Sequence, residues 1–172
     1  MEIKGATFLY TLAALMVTFA GFSALLFVIR QAAGAKLSLL DRFIVRNIMT
    51  YVFVLTAAAL LPALLALFDV GADWIWRISG VLFALPMLSL QTTYPARRRK
   101  AVGESPPRAI LAVFVVLGSG VTLAMLVYLL VDVRYGAAVY ITALTIDFFT
   151  VVFGFLNALD IIMQQPTKTS KR

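Results

Sequence analysis

Long apolar stretches alternate with short polar connections along the chain. An α-helix rises about 1.5 Å per residue, so about 20 apolar residues cross a hydrocarbon core that is about 30 Å thick. Five stretches reach this length: Ala6 to Ile29, Ile44 to Phe68, Trp74 to Tyr94, Ala109 to Val131 and Gly136 to Ile162. The pattern predicts an all-α bundle of five transmembrane helices that forms a single domain over residues 1–172, ending in a short basic tail at 166–172.

A cleavable signal peptide is the alternative interpretation of the first apolar stretch. Such a peptide has a positively charged leader and an apolar run of about 7–15 residues. Here the leader, with Glu2 and Lys4, has no net charge, and the run from Ala6 to Ile29 is longer. We therefore interpret this stretch as a helix of the bundle.

The composition of the 172-residue chain agrees with a membrane protein. Apolar residues make up 62% and charged residues 13%, whereas a soluble domain has about 25% charged residues. A disordered chain is poor in the Leu, Val and Phe that are abundant here. We expect a multi-pass protein of a cytoplasmic-type inner membrane or a plasma membrane, with the lipid bilayer as its immediate partner.

Positive charge is concentrated in alternate connections. The first connection has a net charge of +3 and the third has +4, whereas the second has −1 and the fourth is neutral. Because cytoplasmic loops carry the excess of Lys and Arg, we predict that these two basic connections and the C-terminus are cytoplasmic and that the N-terminus is outside. The same loops explain the net charge of +7, so we expect no nucleic-acid partner.

Short motifs indicate where two helices begin. Ser38 and Asp41 have the spacing of a capping box, which starts the second helix there. Ser105 precedes Pro106 and Pro107, a pattern typical of an N-cap with prolines in the first turn.

Two prolines lie inside predicted spans, Pro62 in the second and Pro86 in the third. Each removes a backbone donor and frees a carbonyl one turn earlier. In a membrane a neighbouring helix, a hydroxyl or water must satisfy that carbonyl.

The chain contains no cysteine and no histidine. Disulfides, thiolate zinc sites and catalysis by an imidazole or a thiol are thereby excluded. An aspartyl dyad needs two carboxylates at one site, but Asp147 and Asp160 are 13 residues apart, about 20 Å along one helix. We expect a protein that is not an enzyme and that uses neither a cofactor nor a metal.

Asp147 is the ionisable residue that no shift of boundaries moves to an interface. It lies 11 residues into the last predicted helix, about 16 Å along the axis and hence near the middle of the membrane. A carboxylate there costs about 2.5–3.5 kcal/mol on insertion scales. We therefore expect Asp147 to face other helices or a polar crevice.

Small and polar residues share the Asp147 face of the last helix. At steps of three and four residues they are Gly136, Tyr140, Ala143, Asp147, Thr150, Gly154 and Asn157. This packing seam is expected to face the bundle or an oligomer contact. Similar stripes occur in the first helix, at Thr11, Ala14, Thr18 and Gly21, and in the fourth, at Gly118, Ser119, Gly120 and Thr122. The fourth-helix stripe lies at the right depth to supply partners to Asp147, and Asn157 is expected to form an interhelical hydrogen bond.

Two interpretations of Asp147 stay open. In the functional one it binds a proton or a cation, flanked by Thr150 and Tyr140 and reached through a polar crevice. In the structural one it is a protonated acid that is hydrogen-bonded to a hydroxyl or a carbonyl of an adjacent helix.

These interpretations correspond to two classes of protein. The first is a transport-like protein, either an ion or proton channel or an ion-coupled carrier. The second is a non-enzymatic accessory or assembly subunit. We expect a channel or carrier to be a homo-oligomer, because five spans are few to enclose a pathway. We expect an accessory subunit, which needs no pathway, to dock onto a larger membrane complex or onto a second copy of itself.

The run Arg97, Arg98, Arg99 and Lys100 is interpreted as an anchor that binds lipid phosphates at the cytoplasmic surface. Arg46 lies near the cytoplasmic end of its predicted helix, as does Asp160 of the last helix. The two would pair if Arg46 lies deeper than its predicted position.

Overall fold

Five long helices make up the part of the chain that the structure, a computed structural model, describes. It covers the backbone of residues 5–32 and 38–163 and the side chains as far as residue 159, so the basic tail at 166–172 and the side chain of Asp160 lie outside the described part. The helices are α1 (Ala6–Ala32), α2 (Leu39–Ala66), α3 (Ala72–Val102), α4 (Arg108–Val131) and α5 (Gly136–Met163). All five are long and apolar enough to span a membrane, as a polytopic membrane protein requires.

The capping box predicted at the start of α2 is confirmed. The Asp41 backbone N–H donates to the Ser38 hydroxyl at 3.1 Å, and the Ser38 N–H donates to Asp41 Oδ2 at 2.8 Å. The start predicted for α4 is wrong, because the helix begins at Arg108 with Pro107 at the N-cap and no side-chain cap. Ser105 therefore lies outside the helix.

The third helix continues past its predicted end. We placed that end at Tyr94, where the apolar run stops, but α3 continues through Pro95 to Val102. Basic residues in its last turn favour this extension, because they interact with the negative end of the helix dipole. Gly103, with φ 83°, ends the helix in the left-handed conformation that glycine adopts readily. The run Arg97 to Lys100 is thus helical.

A π-helical segment, Ala112–Gly118, interrupts α4. Segments of this kind widen the helix by one residue per turn and are frequent at functional sites. Here it lies directly before Ser119 and Thr122 and carries Phe114 into the core.

The last helix, α5, packs against all four others. Its seam residues from Gly136 to Thr150 are buried, and Gly154 and Asn157 are partly buried. Phe148 and Phe155 of α5, which are not part of the seam, are also buried. Both meet the edge of the Phe19 ring, at centroid distances of 5.7 and 5.3 Å, and so join α1 to α5.

The small-residue stripe of α1 faces outward. Thr11, Ala14, Thr18 and Gly21 are all exposed, and no atom lies within 4 Å of the position of a Cβ on Gly21. The buried face of α1 consists instead of larger side chains: Leu9, Leu12, Ala13, Met16, Ser23 and Phe27. In the described part of the chain this stripe therefore does not pack against the bundle.

Pro62 shows how the bundle satisfies a freed carbonyl. Because proline has no N–H, the Ala58 carbonyl loses its helical donor. The Tyr140 hydroxyl of α5 donates to that carbonyl at 2.8 Å, and both residues are buried. The prediction that a neighbouring hydroxyl compensates for this proline is confirmed.

Candidate functional site

The Asp147 carboxylate lies where three helices meet and is 0% exposed. Gln91 of α3 donates from Nε2 to Oδ1 at 2.9 Å, and Thr122 of α4 donates from Oγ1 to Oδ2 at 2.8 Å. Both donors are themselves buried. Each carboxylate oxygen thus has one neutral donor, and each donor comes from a different helix.

Helical phase brings Gln91 to this position. The buried residues of α3 near it recur at steps of three and four: Ala84, Met87, Gln91, Tyr94 and Arg98. Gln91 is therefore on the core face of its helix. The same phase places Tyr94 on that face one turn further along and Arg98 two turns further along.

Gly118 makes room for the hydrogen bond between Gln91 and Asp147. A Cβ at position 118 would lie 2.7 Å from Gln91 Nε2 and 3.4 Å from Asp147 Oδ1. The first distance is shorter than carbon and nitrogen atoms tolerate without movement. The π-helical segment therefore ends on the residue type that allows α3, α4 and α5 to approach this closely.

The Thr122 hydroxyl has two acceptors within reach. Its oxygen lies 2.8 Å from Asp147 Oδ2 and 3.0 Å from the Gly118 carbonyl of its own helix. A hydroxyl carries one proton and two lone pairs. It can donate to Asp147, or it can donate to Gly118 and accept a hydrogen bond from the O–H of a protonated Asp147, without any movement of heavy atoms.

Neutral groups alone contact the carboxylate. Among the residues with described side chains, the one ion pair within 4 Å joins Arg30 to Asp41 at 3.9 Å, far from this site. No cluster of three or more possible metal ligands is found in the same part of the chain. The charge of Asp147 is therefore not balanced by a fixed cation of the described bundle.

Tyr140 and Thr150, which we predicted beside Asp147, make hydrogen bonds elsewhere. The Tyr140 hydroxyl donates to Ala58, and the Thr150 hydroxyl donates to the Ile146 carbonyl one turn earlier. Thr122 contacts Asp147 as its depth suggested, but the Ser119 hydroxyl is buried without a hydrogen-bond partner.

Asn157 does not form the interhelical hydrogen bond that we expected. Its Nδ2 donates at 2.9 Å to the Phe153 carbonyl of the same helix. A side chain that returns to its own backbone has less reach toward a neighbour.

Charged side chains are concentrated at one end of the bundle, where α1 and α3 end and α2 and α4 begin; we call it the basic end. Between this end and Asp147 lie buried polar atoms that have no hydrogen-bond partner in the described structure. They are Gln91 Oε1, the Tyr51 hydroxyl, Asn47 Oδ1, and Nε of Arg97 and Arg98. Each of these groups can bind water.

A small cavity of about 40 Å³ lies at the basic end of this polar row. Asn47, Tyr94, Arg98 and Phe114 are among its lining residues. About 10–15 Å³ of volume accessible to a water-sized sphere is enough to hold one water molecule. The volume and the polar lining of this cavity therefore suit a few water molecules.

Phe114 separates that cavity from Asp147. Its ring stacks on Tyr94 at a centroid distance of 5.4 Å and meets the edge of Tyr51 at 5.8 Å. It also covers Gly154, where a Cβ would collide with the ring. Gly154 is seven residues beyond Asp147, about 10 Å along the helix. The aromatic layer thus lies across the route from the basic end.

The opposite side of Asp147 is apolar. One turn further from the basic end, each of the three site helices buries a hydrophobic side chain, namely Met87, Met125 and Leu144. Phe83 and Leu129 lie one turn beyond them and are also buried. The layer next to Asp147 on the side away from the basic end is therefore apolar, and the unpartnered atoms Ser79 Oγ and Arg77 Nε lie beyond it, nearer the opposite end of α3.

The basic run predicted as a lipid anchor is helical, so its side chains lie in two different environments. Arg99 and Lys100 are exposed, Arg97 is partly buried, and Arg98 is buried with 6% of its surface exposed. The Arg97 guanidinium donates from Nη2 to the Leu90 carbonyl at 2.8 Å. Two of the four side chains therefore return toward the bundle.

Comparison with protein-family models, with curated proteins and with solved structures finds no significant match to this chain.

Proposed function

We propose that this chain is a transport-like membrane protein in which Asp147 binds and releases a proton that arrives from the basic end. The observation that carries the proposal is a fully buried carboxylate whose hydrogen-bond partners, among the described residues, are a neutral amide and a neutral hydroxyl. An uncompensated charge at such a place is very costly. A bound proton removes that charge; in the proposed function this proton exchanges, whereas in the structural interpretation it stays in place.

A proton suits this site better than a divalent metal cation such as Ca²⁺. Metal cations such as Ca²⁺ take six or more oxygen ligands, whereas Gln91 presents an N–H donor to Asp147 and Thr122 adds a single oxygen. The route from the basic end also passes Arg97 and Arg98, whose permanent charges repel metal cations. Protons can move along hydroxyls and water without dehydration of an ion.

The Thr122 hydroxyl supports reversible protonation. When Asp147 is ionised, Thr122 donates to it. When Asp147 is protonated, Oδ2–H donates to Thr122, and Thr122 donates to Gly118, which lies 3.0 Å away. In both states the Thr122 hydroxyl proton and the proton on Asp147 have acceptors, so the exchange needs only a rotation of the hydroxyl.

The asymmetry of the site supports access from one side. Polar atoms and the small cavity lie toward the basic end, and Met87, Met125 and Leu144 close the other side. The positive-inside rule makes the basic end cytoplasmic. Two reporters fused to the C-terminus test that orientation, one active only in the cytoplasm and one active only outside it. Activity of the second reporter alone would reverse the orientation.

The outward stripe of α1 favours a second candidate function, that of an accessory or assembly subunit. Thr11, Ala14, Thr18 and Gly21 form a small-residue face of the kind that lets membrane helices approach closely. In this alternative Asp147 only joins α3, α4 and α5. A homo-oligomer or a larger complex is compatible with both functions.

Proton flux into liposomes tests the proposal. The variant Asp147→Asn keeps the size of the side chain, and its amide can still accept from Gln91 and donate to Thr122, so the fold is expected to survive. Wild type should carry a proton flux above that of empty vesicles, and Asp147→Asn should abolish it. The control Asp132→Asn changes an exposed carboxylate that accepts one local hydrogen bond, and it should leave the flux unchanged.

Two results would overturn the proposal. One is equal flux from wild type and Asp147→Asn in folded, reconstituted protein. The other is no flux from wild type at any imposed pH gradient, combined with altered assembly of Asp147→Asn, which supports the accessory function instead.

A further inference from the structure

A second polar site lies at the basic end, outside the Asp147 cluster. It is a half-open groove between α2 and α3 with a volume of about 580 Å³, within the range of about 300–1,000 Å³ that is typical of small-molecule sites. Its lining residues are Phe43, Arg46, Asn47, Thr50, Leu90, Arg97, Lys100 and Ala101. We call it the basic groove.

Three cations line the basic groove: Arg46 from α2, and Arg97 and Lys100 from α3. Among the residues whose side chains are described, no carboxylate lies within 4 Å of any of these three cations. By contrast, Arg30 of α1 forms an ion pair with Asp41. Three converging positive charges without a described counter-charge repel one another. An anion in the groove relieves that repulsion.

Arg97 is positioned in advance for an anion. Its Nη2 is held by the Leu90 carbonyl at 2.8 Å, and its Nε is buried without a hydrogen-bond partner. A guanidinium that is fixed at one nitrogen loses less conformational entropy when the others bind a phosphate. Asn47, which lines the same groove, is itself 6% exposed and adds a polar wall.

The surroundings of the groove indicate a lipid as the source of the anion. Phe43 and Leu90 form apolar walls next to the cations, and both belong to helices long and apolar enough to span a membrane. The groove therefore combines charges at the depth of lipid headgroups with apolar surface on the membrane side. A soluble phosphate would use only the charges.

We propose that the basic groove is a binding site for the phosphate headgroup of an anionic phospholipid of the leaflet at the basic end. Arg97 and Arg46 contact the phosphate oxygens, Lys100 adds a third charge, and Phe43 and Leu90 contact the start of the acyl chains. The proposal is independent of proton transfer at Asp147, and it replaces a diffuse anchor along Arg97 to Lys100 by one defined site.

Native mass spectrometry of the full chain tests the proposal directly. The protein is released from micelles that contain phosphatidylglycerol and phosphatidylcholine with distinguishable chain lengths. We expect one phosphatidylglycerol to be retained per chain, in preference to phosphatidylcholine by tenfold or more. Equal retention of the two lipids by wild type would overturn the proposal without any variant.

Matched variants locate the site. Arg46→Gln/Arg97→Gln/Lys100→Gln removes the three groove cations and should weaken retention by roughly tenfold or more, because charge-assisted hydrogen bonds to the phosphate are lost. Arg42→Gln/Arg99→Gln/Arg108→Gln removes the same charge from exposed residues that do not line the groove. The control should change retention less than twofold. Equal losses from both variants would mean diffuse attraction and contradict a defined site.

A competition arm separates the two sources of phosphate. Inorganic phosphate or glycerol phosphate, added to the wild-type protein at millimolar concentration, should not displace the lipid, because neither makes the apolar contacts. Complete displacement would show that the groove is a site for a soluble phosphate compound and would overturn the lipid assignment.

Discussion

Gly118 and Gln91 approach so closely that a methyl group on Gly118 would lie 2.7 Å from the Gln91 amide nitrogen. That nitrogen is the donor to Asp147. The absence of a side chain at position 118 is therefore a condition for the three-helix cluster, and the contact links the end of the π-helical segment to the site.

Gly118→Ala should destabilise the protein by about 1–3 kcal/mol, because the new methyl group displaces Gln91 and leaves a buried carboxylate with one donor fewer. Thermal unfolding in detergent measures the effect. Gly120→Ala is the control, since Gly120 is in the same helix with nothing within 4 Å of its Cβ position. That change should stabilise the helix by roughly 0.5–1 kcal/mol. Equal shifts for the two variants would contradict a close contact at position 118.

Two substitutions of Thr122 distinguish the contribution of its hydroxyl to proton transfer from that of its shape. Thr122→Val keeps the volume but removes the group that alternates between Asp147 and Gly118. Because a hydrogen bond to a charged group contributes about 1.5–3 kcal/mol, we expect proton flux in liposomes to fall roughly tenfold or more. Thr122→Ser retains the hydroxyl and should keep most of the flux. A fully active valine variant would show that the hydroxyl has no part in proton transfer.

The pair Tyr140 and Pro62 offers a test of the fold that is independent of function. Tyr140→Phe removes the donor to the Ala58 carbonyl and should cost about 1–3 kcal/mol, because that carbonyl is left buried and unpaired. In a Pro62→Ala background, position 62 regains a backbone N–H that can bond Ala58. The same tyrosine substitution should then cost about 1 kcal/mol less, as measured by a double-mutant cycle of unfolding. Identical costs in both backgrounds would refute the compensation.

Phe114 is predicted to limit access to Asp147. Phe114→Ala removes the ring that stacks on Tyr94 and covers Gly154, so proton flux should rise severalfold while stability falls by roughly 3–5 kcal/mol. Phe149→Ala is the control, because Phe149 is 64% exposed and points away from the core. It should change neither quantity appreciably. A flux from Phe114→Ala at or below that of wild type in folded protein would place the barrier elsewhere.

Much of the fold can be predicted from the sequence because membrane helices can be recognised from the length and apolar composition of their segments. The periodicity of α5 correctly predicts that Asp147 is buried, and the Ser38 and Asp41 spacing correctly predicts a cap. The same reasoning fails for α1. There the stripe with Thr18 and Gly21 faces outward. Small residues allow helices to approach closely, but their pattern does not identify the partner.

The contact of Gln91 with Asp147 is not predicted from the sequence, because the apolar run of the third span ends near Gln91. A polar residue at that position is typical of the end of a transmembrane helix. The phase of Gln91 relative to Ala84 and Met87 is the signal that could have found it. The π-helical segment has no comparable signal, since its hydrogen-bond pattern depends on packing around Gly118 rather than on local propensity.

The central claim is that the Asp147 carboxyl group gains and loses a proton while the protein remains folded. Infrared difference spectroscopy of reconstituted protein during a pH titration measures this at the group itself, with Asp147→Asn to assign the signal. The account predicts a carbonyl band of a protonated carboxyl group that disappears reversibly as pH rises and is missing from Asp147→Asn. If wild type and Asp147→Asn give the same difference spectrum at every pH at which both are folded, Asp147 does not exchange a proton and the account is wrong.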